Sequence, residues 1–102
     1  MKKCCEDYLR EQFGGDADIM NEIYAEYVAS IGEKLKEADE HLAAGAWQPL
    51  DHVAHTIKGN ALASGDNEMA ETAIALRSAA KLNDSEQAAT LIANLKGLAA
   101  QL

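Results

Sequence analysis

The residues best suited to chemistry in this sequence lie between positions 49 and 64, in the segment PLDHVAHTIKGNALAS. His55 carries an imidazole, which is substantially unprotonated at neutral pH and is therefore a nucleophile. Lys58 adds a flexible cation three residues later, and Gly59 follows it directly. A glycine at this place has one clear physical use, which is to let the backbone of another protein come close to His55.

A helical projection separates this segment into a core face and an outer face. At about 100° per residue, six positions fall within roughly 60° of one direction and predict a buried stripe: Leu50, Val53, Ala54, Ile57, Ala61 and Ser64. His55 projects about 140° away from the centre of that stripe, while His52 and Gly59 lie near the opposite pole. The projection therefore places the histidines and the glycine together on a solvent-facing surface.

This outer face departs from what a solvated helix surface normally contains. Strong helix formers with charged side chains are expected there, yet Gly59 costs about 1 kcal/mol relative to alanine in mid-helix. Leu62 and Ala63 add exposed apolar area beside it. A loss of stability without an evident structural gain indicates a functional surface, here one that another protein contacts.

Metal binding is a second interpretation of the function of the histidines, because His52 and His55 have the i, i+3 spacing that metal ligands can use. The sequence places no third ligand beside them, so no metal site is predicted, and His52 is interpreted as a bystander or docking-surface residue. Cys4 and Cys5 are adjacent, whereas a disulfide framework or a zinc site needs separated cysteines.

The elements that must position these residues are helices. Apolar spacing and capping signals predict five of them, at about 4–13, 17–44, 49–64, 67–82 and 85–101. The third is expected to start at Pro49, because proline is favoured in the first helical turn. Candidate N-caps precede three of the longer helices: Asp16 or Asp18, Asp66 or Asn67, and Asn83 or Asp84.

Composition agrees with a helical fold, since the chain of 102 residues has 20 alanines and one proline. No segment shows the alternation of a β-strand, and the connections are short. We therefore predict an all-α protein, an antiparallel up-down four-helix bundle with a short additional N-terminal helix, in a single domain over residues 1–102.

The charge balance excludes some classes of partner. Nine Lys and Arg against 17 Asp and Glu give a net charge of −8, which argues against binding to nucleic acid or to anionic lipid. No apolar run approaches the roughly 18 residues of a membrane-spanning helix, and no signal-peptide pattern is present. A cytoplasmic location is expected.

The histidine segment resembles a known family. Residues 54–59 read AHTIKG and Gly65 follows six residues after Gly59, which is similar to the A-H-x-(L/I)-K-G pattern of histidine-containing phosphotransfer domains in two-component phosphorelays. The similarity extends from about Tyr24 to Leu82 and includes Trp47 before the histidine helix. Arg77 is a departure, because an acidic residue is common there. We expect Arg77 to affect docking preference more than mechanism.

The resemblance implies a function. His55 would accept a phosphoryl group from the aspartyl-phosphate of a receiver domain and pass it to the aspartate of a second receiver. Lys58 would stabilise the phosphoryl charge, and a docking surface would consist of His52, Gly59, Leu62 and Ala63. The chain would then be a monomeric phosphocarrier without a cofactor and not an enzyme, with Mg²⁺ held by the partner receiver. Its partners would be response-regulator receiver domains and a hybrid sensor histidine kinase.

Two other functions stay open. The phosphoacceptor domain of a chemotaxis-type histidine kinase shares the H-x-x-K-G pattern, and there His55 would receive its phosphoryl group from a kinase domain that uses ATP. In an adaptor bundle, by contrast, His55 would never be phosphorylated.

Overall fold

The computed structural model describes all residues from 1 to 102 and contains five α-helices and no strand. They are α1 (Lys3–Phe13), α2 (Ala17–Ala43), α3 (Trp47–Ala63), α4 (Asn67–Lys81) and α5 (Ser85–Ala99). The predicted all-α class, with a short helix ahead of four longer ones, is confirmed.

The four longer helices form a closed ring. α2 packs against α3, α3 against α4, α4 against α5, and α5 returns to α2. Connections of only three residues join them, at 44–46, 64–66 and 82–84, and connections this short require antiparallel neighbours. The result is an elongated bundle that measures 43 × 20 × 19 Å.

The turns and caps follow from residue type. Asp16, Asp66 and Asp84 are the N-caps, and their carboxylates accept hydrogen bonds from backbone N–H groups three residues later. Gly45 and Gly65 are the middle residues of the connections after α2 and α3. Their φ values of 65° and 75° lie in the left-handed region that glycine adopts without steric cost.

The predicted start of α3 was wrong by two residues. The helix begins at Trp47 and not at Pro49, and Ala46 precedes it without a side-chain cap. The N–H groups of a first helical turn have no partner within the helix, so the missing N–H of proline is tolerated throughout that turn. Pro49 therefore marks the first turn of α3 without marking its first residue. Every other helix end lies within two residues of its predicted position.

Alanine brings α4 close to α3, the most extensive helix pair of the bundle. α4 buries six residues, and four of these are alanines: Ala70, Ala73, Ala79 and Ala80. Small side chains let two helix backbones approach, so that a long polar side chain at the edge of α4 can reach the outer face of α3.

α1 closes one end of the bundle by packing on the turn between α3 and α4. Its residues Cys5 and Leu9 are completely buried, and Tyr8 lies against Gly65. A Cβ atom at Gly65 would overlap the side chain of Tyr8. Two constraints thus require a glycine at position 65, namely its positive φ and the close approach of α1.

A buried carboxylate secures the same end. Asp66 has no exposed surface, and it accepts hydrogen bonds from the hydroxyl of Tyr27 at 2.8 Å, from the ammonium of Lys2 at 3.0 Å and from the backbone N–H of Met69 at 3.3 Å. Burial and the hydrogen bond to Asp66 both raise the pKa of Tyr27. Burial opposes the charge of Lys2, but its hydrogen bond and attraction to Asp66 outweigh that effect and raise its pKa.

We expect Gly65→Ala to lower the free energy of unfolding by about 2–4 kcal/mol, because it adds left-handed strain to the overlap with Tyr8. Gly32→Ala is the matched control. Gly32 lies in the interior of α2 with open space where a Cβ would be, so this change should raise stability by about 0.5–1 kcal/mol. Urea unfolding followed by circular dichroism measures both, and similar midpoints for the two variants would contradict the close approach of α1.

Candidate functional site

The outer face of α3 presents the imidazole of His55 to solvent. His55 is exposed, while Ala54 and Ile57 on the opposite side of the helix are completely buried. The helix is therefore anchored by one face, and His55 lies on the other, as the helical projection predicted.

Gly59 lies one turn after His55 in open space. It is exposed, and no atom lies within 4 Å of the position that a Cβ would take. Packing within the chain thus gives no reason for a glycine here. Lys58 is half-buried beside it and takes part in no ion pair, so its ammonium is available to a charge that arrives from outside.

The remaining residues of the predicted docking surface also face solvent. His52 and Ala63 are exposed, and Leu62 is 48% exposed. Beside them, the amide of Asn60 donates a hydrogen bond of 2.7 Å to the hydroxyl of Ser30, which ties α3 to α2. The surface is therefore exposed and partly apolar, on a helix that contacts α2 on one side and α4 on the other.

Arg77 of α4 is the nearest charged neighbour of His55. Its Nη1 atom lies 3.1 Å from Nδ1 of the imidazole, and its Nε atom donates a hydrogen bond of 2.8 Å to Oδ1 of Asp51. Asp51 precedes His55 by one helical turn, so one guanidinium bridges both side chains. About a quarter of the Arg77 and Asp51 side chains is exposed, at 27% and 25%, so this ion pair is only partly screened by water.

The contact between Arg77 and His55 is the part of the site that sequence reasoning missed. Arg77 was expected to influence docking preference, whereas the structure places its guanidinium on the imidazole itself. A signal was present, because His55 and Arg77 are both eleven residues from Asp66 along the chain. In two antiparallel helices joined at that turn, residues equidistant from it lie level with one another.

The Arg77 guanidinium changes the ionisation of Asp51. The hydrogen bond from Arg77, together with its positive charge and the charges of Lys81 and His55, holds the pKa of Asp51 below its usual value of 3.8. Partial burial acts in the opposite direction and is outweighed. Asp51 is therefore an anion that keeps the guanidinium in place beside the imidazole.

No group of three His, Cys, Asp or Glu side chains is arranged to hold a metal ion. His52 and His55 are both exposed on the outer face of α3.

Comparison with protein families identifies the chain. The family model described as Hpt domain matches residues 22–102, so the chain belongs to the Hpt domain family. Domains of this family are phosphocarrier modules of two-component systems, and they carry out histidine phosphotransfer with receiver domains and kinases. The match begins inside α2 and does not include α1.

Two other comparisons gave no relatives, because neither a curated protein nor a solved structure matches the chain. None of the five helices is both long enough and apolar enough to cross a membrane.

We expect the pH dependence of stability to reveal the ion pair of Asp51 and Arg77. Because the pKa of Asp51 is lowered in the folded state, its contribution is present above the unfolded pKa of 3.8 and is lost as the pH falls through the folded value. Asp51→Asn should therefore lower stability by about 0.2–1 kcal/mol at pH 6 and by much less at pH 2.5. Urea midpoints of both proteins at the two pH values measure this, and a pH-independent difference would contradict it.

Proposed function

We propose that His55 is the phosphoacceptor of a phosphorelay and that it receives its phosphoryl group from the aspartyl-phosphate of a receiver domain. The bond between phosphorus and the carboxylate oxygen breaks, a bond between phosphorus and an imidazole nitrogen forms, and the imidazole releases one proton. The phosphohistidine then gives the group to the aspartate of a second receiver. The chain acts as a carrier in this scheme and is itself the reactant.

The observation that supports this proposal is the position of His55 within an Hpt domain. His55 is exposed on the outer face of α3, one turn before a glycine with open space at its Cβ position and three residues before a lysine without an ion-pair partner. Phosphoryl transfer depends mainly on positioning and on stabilisation of charge. An accessible imidazole on a rigid helix meets the first requirement.

The neighbouring residues have proposed functions of their own. Lys58 stabilises the negative charge of the phosphoryl oxygens as a flexible ammonium. Gly59, His52, Leu62 and Ala63 form the surface on which the receiver docks, and the missing side chain of Gly59 allows the receiver's backbone to approach His55.

The partners complete the reaction. We propose that receiver domains of response regulators and a hybrid sensor histidine kinase exchange phosphoryl groups with His55, and that the Mg²⁺ ion used in transfer belongs to the receiver. The chain works as a monomer in the cytoplasm under this proposal. Analytical ultracentrifugation at micromolar concentration tests the monomer, and a concentration-dependent dimer would contradict it.

We expect His55→Gln to abolish phosphoryl acceptance while helicity and melting temperature stay nearly unchanged, because His55 is exposed and does not contribute to the core. His52→Gln is the matched control on the same face of α3 and should still accept the group. A phosphorylated receiver serves as donor, and acid-labile, base-stable phosphate on the chain is the readout.

The outcomes of this experiment separate the candidate functions. Loss of transfer in His52→Gln but not in His55→Gln would overturn the assignment of the phosphoacceptor. Phosphate that arrives only from a kinase core with ATP, and never from a receiver, would indicate the phosphoacceptor domain of a chemotaxis-type kinase. No phosphate from either donor would indicate an adaptor bundle.

At Gly59 we expect stability and transfer to change in opposite directions. Gly59→Ala should raise the free energy of unfolding by about 0.5–1 kcal/mol, because alanine is the better helix former and the site is empty. Gly59→Glu should also fold, since its side chain points into solvent. Its carboxylate, however, would stand beside His55, repel the phosphoryl group and obstruct the receiver.

Thermal melts and a transfer assay on these two variants check the docking surface. Transfer should fall steeply in Gly59→Glu and mildly in Gly59→Ala, with both proteins fully helical. A folded Gly59→Glu protein that transfers at the normal rate would show that the receiver does not approach over Gly59.

A further inference from the structure

The contact between Arg77 and His55 determines which imidazole nitrogen carries the proton. A guanidinium has five N–H donors and no acceptor, so Nδ1 of His55 must be the acceptor in the 3.1 Å contact with Nη1 of Arg77. A neutral imidazole whose Nδ1 accepts a hydrogen bond carries its proton on Nε2. Nε2 is the nitrogen on the far side of the ring from Arg77, and it belongs to an exposed side chain.

The same contact fits the imidazole after phosphorylation. When phosphorus is bonded to Nε2, that nitrogen has no proton, and Nδ1 retains a lone pair that accepts a hydrogen bond. Arg77 can therefore donate to Nδ1 both before and after loading. During loading, the contact with Arg77 opens, because Nε2 has a lone pair for attack only in the tautomer that carries its proton on Nδ1. That proton leaves Nδ1 for solvent once the bond between phosphorus and Nε2 has formed, and Nδ1 then accepts from Arg77 again.

Hydrolysis of the phosphohistidine requires a proton on Nδ1. A water oxygen attacks the phosphorus, the bond between phosphorus and Nε2 breaks, and the imidazole departs. It departs readily only when a proton already sits on Nδ1, because the ring then leaves as a neutral molecule and not as an anion. A guanidinium hydrogen at Nδ1 excludes that proton.

We propose, on the basis of the function proposed above, that Arg77 is a positioning residue that prolongs the lifetime of phosphohistidine at His55. It occupies Nδ1 as a donor and keeps the imidazole in the form that retains the phosphoryl group. Asp51 holds the guanidinium through the 2.8 Å hydrogen bond to Nε, so that Arg77 reaches Nδ1 with its Nη1 atom.

The other charged and titratable groups around His55 do not replace this contact. Asp51, His52 and Lys58 lie on α3 itself, within one turn of His55, and Lys81 lies on α4 one turn beyond Arg77. Among all the side chains of the molecule, Arg77 is the one that is hydrogen-bonded to the imidazole. Removal of Arg77 alone should therefore free Nδ1.

The first measurement uses the unphosphorylated protein and does not depend on the proposed function. Nitrogen-15 NMR of the imidazole at a pH where it is neutral should show a proton on Nε2 in the wild type and a mixture of tautomers in Arg77→Met. Arg77→Lys keeps a cationic donor and should restore part of the wild-type signature. A wild-type imidazole with its proton on Nδ1 would overturn the proposal.

The second measurement follows the loss of phosphate after loading by a phosphorylated receiver and removal of that receiver. We expect Arg77→Met to lose its phosphoryl group about three- to tenfold faster than the wild type at pH 7, the effect of one partly exposed charged hydrogen bond. Arg77→Lys should lie between the two. Arg10→Met is the matched control, because Arg10 also forms an ion pair, with Glu6 of α1, and it should not change the rate.

A failure of the inference about Arg77 can be distinguished from a failure of the function proposed for His55. Normal loading with equal half-lives in the wild type and Arg77→Met would overturn the effect of Arg77 and leave the phosphoacceptor in place. An absence of loading in the wild type would instead count against the function proposed for His55, and with it against this inference.

Discussion

The carboxylate of Asp66 is enclosed at the end of the bundle, where α1, α2 and the turn before α4 meet. Its oxygens satisfy Lys2, Tyr27 and the first turn of α4 at once. A buried carboxylate left without these partners would face the cost of an uncompensated charge, which is several kcal/mol in protein interiors. These segments therefore keep one relative arrangement, because any other would break the hydrogen bonds to Asp66 and unfold this end of the bundle.

That constraint reaches the outer face of α3 through the register of α3 and α4. Because Asp66 and Gly65 fix the turn, the alanine-rich face of α4 meets α3 in one alignment, and side chains equally far from the turn lie level. Arg77 consequently stands beside His55, about 16 Å along the helices from the turn at 1.5 Å per residue. An insertion in either helix between the turn and these residues would separate the guanidinium from the imidazole.

Features that depend on local interactions could be predicted from the sequence, and features that depend on packing across the bundle could not. Apolar spacing and capping aspartates specify helices locally, so the five helices and the bundle class followed from the residues alone. The start of α3 was mispredicted at Pro49 because every position of a first helical turn tolerates proline. The exposure of His55 and Gly59 followed from the helical projection. The hydrogen bond from Arg77 required knowledge of which edge of α4 faces α3, and that is decided by packing across the bundle.

Two polar networks in this chain therefore differ in how easily they can rearrange. The Asp66 network is buried and couples the helices, so that changing it means unfolding part of the bundle. The network of Asp51, Arg77 and His55 is partly exposed, and an ion pair of that kind contributes only about 0.2–1 kcal/mol. Under the function proposed for His55, a carrier needs this difference, because its imidazole must meet a partner, gain a charged group and lose it again while α3 beneath it keeps its position. The residues around His55 can move to new hydrogen bonds at a small cost, since none of them is needed to hold α3 against its neighbours.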